Sequence, residues 1–122
     1  MRKVIWVYYT YIIRCSDNSL YCGITTDIKR RFNEHKDGKG IGAKYTRSRK
    51  PKMVEVIWNC ANRSDALKLE CAIKKSTRTK KEELIANPSL ISVFFDGIID
   101  TSLYNYDEAV TSEIKNFLQQ AP

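Results

Sequence analysis

Two runs of β-branched and aromatic residues, separated by four turn-forming ones, leave this chain little local choice. Residues 4 to 13 (Val-Ile-Trp-Val-Tyr-Tyr-Thr-Tyr-Ile-Ile) read as a buried strand, and Ser16-Asp17-Asn18-Ser19 supplies turn chemistry. Residues 20 to 25 (Leu-Tyr-Cys-Gly-Ile-Thr) read as the returning strand of a hairpin. Side chains alternate along a strand, so register decides whether Tyr11 and Tyr21 meet. Pairing Tyr21 with Ile13 or with Tyr11 puts both tyrosines on one face, and a slip of one residue separates them.

A helix is expected from near Asp27, capped by Thr25 or Thr26, to a stop at Gly38. Ile28, Arg31, Phe32 and His35 recur at helical spacing, so Arg31 and His35 lie beside the apolar stripe. Lys29, Arg30 and Lys36 are free to face solvent. The hairpin and its helix thus gather two tyrosines, an arginine and a histidine on a small scaffold.

Charge is split along the chain. Residues 1 to 81 carry 20 Lys and Arg against 7 Asp and Glu, a net +13, whereas residues 82 to 122 carry 1 against 7, a net −6. A basic body of this kind suits a polyanion, because neutralising phosphates releases their counterions. The Gly-rich stretch from Asp37 to Lys52 adds Lys39, Lys44, Arg47, Arg49 and Lys50 around Tyr45, as a surface that tracks a backbone and stacks a base would. A solvated connector has the same composition.

The chain is long enough for one domain at 122 residues and 43% hydrophobic content, and it holds no apolar run near the length of a membrane span. Tyr8, Tyr9, Thr10 and Arg14 interrupt the apolar start, so a signal peptide is not expected and a cytoplasmic location is. Cys15, Cys22, Cys60 and Cys71 stand singly, without a CxxC pair, and are expected to be buried small hydrophobes.

Residues 53 to 60 form a third expected strand, and a helix follows from a Ser64 cap to about Lys75. Ala66, Leu67 and Ile73 lie four, three and three residues from Glu70, which puts that carboxylate on the core-facing side. A carboxylate there needs a cation. Lys74 at i+4 or Arg31 across the domain would serve as an ion-pair partner, and a hard divalent metal ion is the functional alternative. Ser76 or Thr77 caps a further helix to Ala86, and Asn105 with Glu108 makes a capping box for a last amphipathic helix over 106 to 120. That tail is expected on its own domain or on another chain.

Together, Thr10-Tyr11-Ile12, Leu20-Tyr21-Cys22-Gly23-Ile24-Thr25-Thr26-Asp27, Arg31, the loop Gly42-Ala43-Lys44-Tyr45-Thr46-Arg47 and Glu70 resemble the GIY-YIG nuclease superfamily. The likeness is to its small single-domain bacterial members and covers about residues 7 to 86. It implies an α/β (α+β) fold with a small three-stranded, mainly antiparallel mixed sheet flanked by helices. Residues 1–87 would form this domain, and residues 88–122 an acidic helical extension that packs on it or joins a homodimer or protein partner.

The resemblance also implies a metal-dependent endonuclease that hydrolyses phosphodiester bonds in DNA, with branched or damaged DNA in repair or recombination as the expected substrate. Tyr11, Tyr21, Arg31, His35 and Glu70 would be its catalytic residues, and Glu70 would hold one Mg²⁺ or Mn²⁺. Lys29, Arg30, Lys39, Lys44, Tyr45, Thr46, Arg47, Arg49 and Lys50 would contact the nucleic acid. A module that keeps the fold and binds without cutting is the alternative. Thr10 replaces the first motif's glycine and Cys22 an isoleucine or valine of the second, both at backbone or packing positions.

Overall fold

The hairpin forms between β1 (Tyr8–Cys15) and β2 (Leu20–Thr25), closed by a turn in which Asn18 takes the left-handed conformation at φ 70°. Asp17 Oδ1 accepts bonds from the Ser19 N–H and hydroxyl at 3.0 and 2.6 Å, a local polar turn of the kind Asp and Asn favour. The computed structural model describes residues 7–37 and 50–120, and side chains within 7–34 and 50–115. The sheet is completed by β3 (Pro51–Cys60) and β4 (Asn105–Tyr106) in the order β2-β1-β3-β4, with every pair antiparallel.

The flanked antiparallel sheet agrees with expectation, but it has four strands rather than three. Asn105 is taken up by β4, where it pairs with Asn59, and so cannot cap the last helix. Asp107 does so instead, accepting the Val110 N–H at 3.0 Å, while its own N–H reaches Ile57 O at 2.9 Å. The β3 strand also begins two residues earlier than expected, at Pro51.

Among the described residues five α-helices accompany the sheet: α1 (Ile28–Asp37), α2 (Arg63–Lys74), α3 (Arg78–Ala86), α4 (Ile91–Phe94) and α5 (Glu108–Gln120). Two of the expected caps move by a few residues. Asp27, not Thr25 or Thr26, caps α1: its Oδ1 accepts the Arg30 N–H at 3.1 Å, and Thr25 Oγ1 braces it by accepting the Asp27 N–H at 3.0 Å. Asn62, not Ser64, caps α2, exchanging side-chain bonds with Asp65. Thr77 caps α3, as one of the two expected choices.

A bulge in β3 sets the two faces of the sheet. Ile12 pairs with Val56 but Ile13 pairs with Val54, so Glu55 is the extra residue. Val54 and Ile57, three residues apart, thereby share a face that strict alternation would deny them. On that face Tyr11, Ile13, Val54 and Ile57 pack with Ile28 and Phe32 of α1 and Ile114 of α5. The other face packs Ile12, Cys22, Val56 and Trp58 against Ala66, Leu69 and Ile73 of α2 and Leu84 of α3.

Residues of the last third of the chain touch the rest of the fold at several points. Trp58 Nε1 donates to Pro88 O at 3.1 Å, the Tyr104 hydroxyl donates to Asp65 O at 2.7 Å, and Ile114 is 2% exposed. Burial of one such isoleucine contributes about 1.5–3 kcal/mol. Three of the cysteines are buried as expected, whereas Cys71 is exposed on α2. None of the described helices is long and apolar enough to cross a membrane.

A polar clamp ties the hairpin to α3. Arg14 donates to Glu55 Oε2 at 2.8 Å and to Glu82 through both terminal nitrogens, at 3.1 and 2.5 Å. Arg78 joins it, bonding Asn18 O and Glu82. Bonds from Arg14 hold the Glu82 carboxyl down at about 2, below its ordinary 4.5. A depressed carboxyl stabilises the fold above its unfolded value and loses that contribution as pH falls. Replacing Glu82 by Gln should therefore lower the melting temperature at pH 7, with the gap to wild type closing between about pH 4.5 and 2 in thermal melts. The effect should be modest, since the side chain is 38% exposed and screened by solvent.

Candidate active site

Among the described residues β2 stands at the end of the sheet, and α1 and α2 flank it from opposite faces. Between them opens a cleft of about 310 Å³ lined by Tyr11, Tyr21, Gly23, Arg31, Glu70 and Lys74, among others. Four of the five expected catalytic residues are therefore brought together. The fifth, His35, follows Arg31 by four residues in α1, and its side chain lies outside the described residues.

Register does much of the positioning. Ile13 pairs with Tyr21 and Tyr11 with Gly23, so both tyrosines share one face. Tyr11 lies directly over its partner: a Cβ added to Gly23 would sit 2.5 Å from the Tyr11 hydroxyl, 2.7 Å from its Cζ and 3.2 Å from Cε1 of Tyr21. Glycine is needed here for close approach rather than for unusual backbone angles.

Arg31 comes from α1, beside the buried Phe32, and is 14% exposed with its Nε 3.7 Å from Glu34 Oε1. Glu70 comes from α2 and is 16% exposed, with Oε1 3.6 Å from Lys74 Nζ. The same Lys74 nitrogen stands 5.9 Å from the centre of the Tyr21 ring. Of the ion pairs expected for Glu70, the one with Lys74 is present.

Burial and the neighbouring Tyr21 push the Tyr11 phenol above its ordinary value, and the positive charge of Arg31 opposes this. Tyr11 is thus a neutral phenol at neutral pH, able to donate a hydrogen bond into the cleft. Cys22 points into the opposite core, where burial pushes its thiol up, so it is no nucleophile.

Among the described residues no three His, Cys, Asp or Glu side chains gather to hold a metal ion. Glu70 alone still suits Mg²⁺, which keeps most of its waters and takes one or two carboxylates together with substrate phosphate. Its competitor Lys74 is 52% exposed and has room to swing away.

The expected nucleic-acid contacts divide. Arg30 lines the cleft, whereas Lys29 turns to Glu113 of α5 at 2.9 Å and lines a neighbouring groove. Lys50 is exposed beside the hairpin turn, its carbonyl accepting the Ser16 N–H at 2.8 Å. Lys39, Lys44, Tyr45, Thr46, Arg47 and Arg49 lie outside the described residues. Arg63 and Lys74, which sequence reasoning did not place at a site, also line the cleft. Their spacing from Glu70, seven residues before and four after, was the available signal.

A hairpin and helix that present two tyrosines and an arginine to a glutamate on a second helix define a recognisable class. The GIY-YIG catalytic domain matches residues 7–83, and the chain belongs to the GIY-YIG nuclease superfamily. Among its relatives is a UPF0213 protein of Vibrio campbellii, 47% identical over 85 residues that span 68% of this chain and 78% of that one. A UPF0213 protein of Haloquadratum walsbyi is 51% identical over 78 residues, 63% of this chain and 84% of its own. The solution structure of a UPF0213 protein from Bacillus halodurans is 40% identical, covers 66% of this chain and 83% of that one, and superposes with a TM-score of 0.43.

Gly23→Ala should force Tyr11 aside and cost about 1–3 kcal/mol, the range for overfilling a packed site. Chemical denaturation measures this, and a variant as stable as wild type would place Tyr11 elsewhere.

Proposed function

We propose that the chain is a divalent-metal-dependent endonuclease that hydrolyses phosphodiester bonds in DNA. The observation that carries this reading is the convergence of Tyr11, Tyr21, Arg31 and Glu70 on one cleft beside β2. Their chemistry is complementary. Glu70 holds Mg²⁺ or Mn²⁺, one ion, which when bound supplies Lewis acidity at the scissile phosphate.

Arg31 offers planar donors to a non-bridging phosphate oxygen, where negative charge builds as the attacking oxygen closes in. Tyr11, buried and oriented over Gly23, positions the attacking water through its hydroxyl, with Tyr21 beside it and His35 assisting from the next turn of α1. The positive charge of Arg31 favours the phenolate, the form in which Tyr11 would take a proton from that water. Arg30 and Arg63, which line the cleft, hold the backbone there; Lys39, Lys44, Arg47, Arg49 and Lys50 are the further contacts this reading proposes from their charge. The extension, packed on its own sheet, contributes no group to this cleft among the described residues.

The proposed setting is the cytoplasm, with branched or damaged DNA as the first substrate class to examine. Flap, junction, duplex and single-stranded DNAs, incubated with and without Mg²⁺, provide the test. Wild type should cut at least one of them only with the metal, and both Glu70→Ala and Arg31→Ala should lower the rate by about 10²-fold or more, as losing a group that stabilises the transition state does. Circular dichroism spectra should remain those of the folded chain. Binding without products across the panel would instead favour the non-cutting module.

A further inference from the structure

The cleft does not end at α1. A second groove of about 430 Å³ opens between α1 and α5, lined by Tyr9, Thr26, Asp27, Lys29, Arg30 and Glu113, among others. Thr26 and Arg30 line both cavities, so the two adjoin at the start of α1. Its volume is in the range of small-ligand sites, about 300–1,000 Å³, and is large enough for a nucleotide.

The groove's chemistry differs from that of the cleft. Its cations, Lys29 and Arg30, stand with two carboxylates, and Lys29 already bonds Glu113 at 2.9 Å. Asp27 Oδ1 is occupied by the Arg30 N–H. Glu113 is 60% exposed, and a carboxylate has more acceptor positions than one lysine fills. The half-buried Tyr9 ring lies among these groups; after burial, the charges of Asp107, Glu113 and Asp27 are what raise its phenol above the ordinary value. With two cations balanced by two carboxylates the groove offers no net positive charge to a phosphate, whereas an aromatic surface beside carboxylate acceptors suits a base.

We propose that this groove is a second nucleotide subsite, taking an unpaired base with an exocyclic amino group over Tyr9 and against Glu113 while Arg30 holds the intervening phosphate. It rests on the reading of the cleft as a nucleic-acid site. A strand leaving the cleft crosses Arg30 and turns one base into the groove. Glu113 accepts from the amino group, and thymine, which has none, is disfavoured. One wall of the subsite is α5, which lies beyond the 7–83 match, so the extension adds base preference to a domain that otherwise reads backbone.

The test is fluorescence anisotropy of the full chain in EDTA, so that binding is read without cleavage. The probes are a short oligo-dT and the same oligomer carrying one cytosine. Wild type should bind the cytosine oligomer several-fold more tightly. Glu113→Ala, which removes the acceptor altogether, should erase that ratio by weakening binding to the cytosine oligomer. Tyr9→Ala should weaken both by about tenfold, the scale of one lost stacking contact, and Tyr9→Phe, which keeps the ring, should restore binding if Ala disturbs the strand. Equal binding of the two oligomers by wild type, or a ratio unchanged in Glu113→Ala, would overturn the subsite. A chain that never cuts but shows the preference refutes the nuclease reading alone. Cleavage without any preference refutes the subsite alone.

Discussion

Tyr11 crosses its partner strand at Gly23, the one residue of β2 without a side chain, and most of the site's geometry depends on that crossing. The ring needs the space a Cβ would fill, and it needs the register that sets Tyr11 against Gly23 and Ile13 against Tyr21. Once these hold, both tyrosines face the side covered by α1, where Phe32 anchors the helix and Arg31 stands at the rim. Glu70 arrives from the opposite face because β2 ends the sheet among the described residues, and it is around a sheet's edge that helices from both faces meet. The cleft is therefore a property of the sheet's border rather than of any single element.

The same sheet supports the extension, which is part of the body that holds α1. Ile114 and Val110 pack on the cluster that contains Tyr11, Ile28 and Phe32, and Lys29 is tied to Glu113. Acidic residues 82 to 122 thus meet the basic body partly through α1, beside the cleft. Glu82 contributes in another way, closing the clamp on Arg14 and Arg78 that fixes the hairpin turn against α3. Charge segregation along the chain is used inside the fold as well as on its surface.

Much of this was legible in the residues. The hairpin, the helix that follows it, the third strand and the glutamate helix all announce themselves through periodicity and turn chemistry. Register was not legible, because two pairings bury the same apolar residues equally well, and it took the Tyr11 ring over Gly23 to distinguish one. The β3 bulge at Glu55 was hidden for a similar reason: Val54 and Ile57 read as opposite faces until an extra residue shifts one of them. Asn105 looked like a cap because its spacing to Glu108 fits a capping box, yet a two-residue strand pairing outweighs a single side-chain bond there. Cys71 was misjudged as buried, since α2 turns its Ala66, Leu69 and Ile73 side inward and leaves that position outside.

At the candidate site the residue types were readable and their convergence was not, since Glu70 is separated from Tyr21 by 49 positions and reaches it only through packing on β2. The most direct measurement of that convergence is a titration of ¹⁵N-labelled chain with paramagnetic Mn²⁺, followed by NMR. A single ion held by Glu70 predicts that signals of Tyr21, Gly23 and residues 67 to 74 broaden first and together, and that Glu70→Ala abolishes the effect. Broadening that begins instead at the acidic residues of the extension, Asp96, Asp100 or Glu108, and persists in Glu70→Ala would contradict the account.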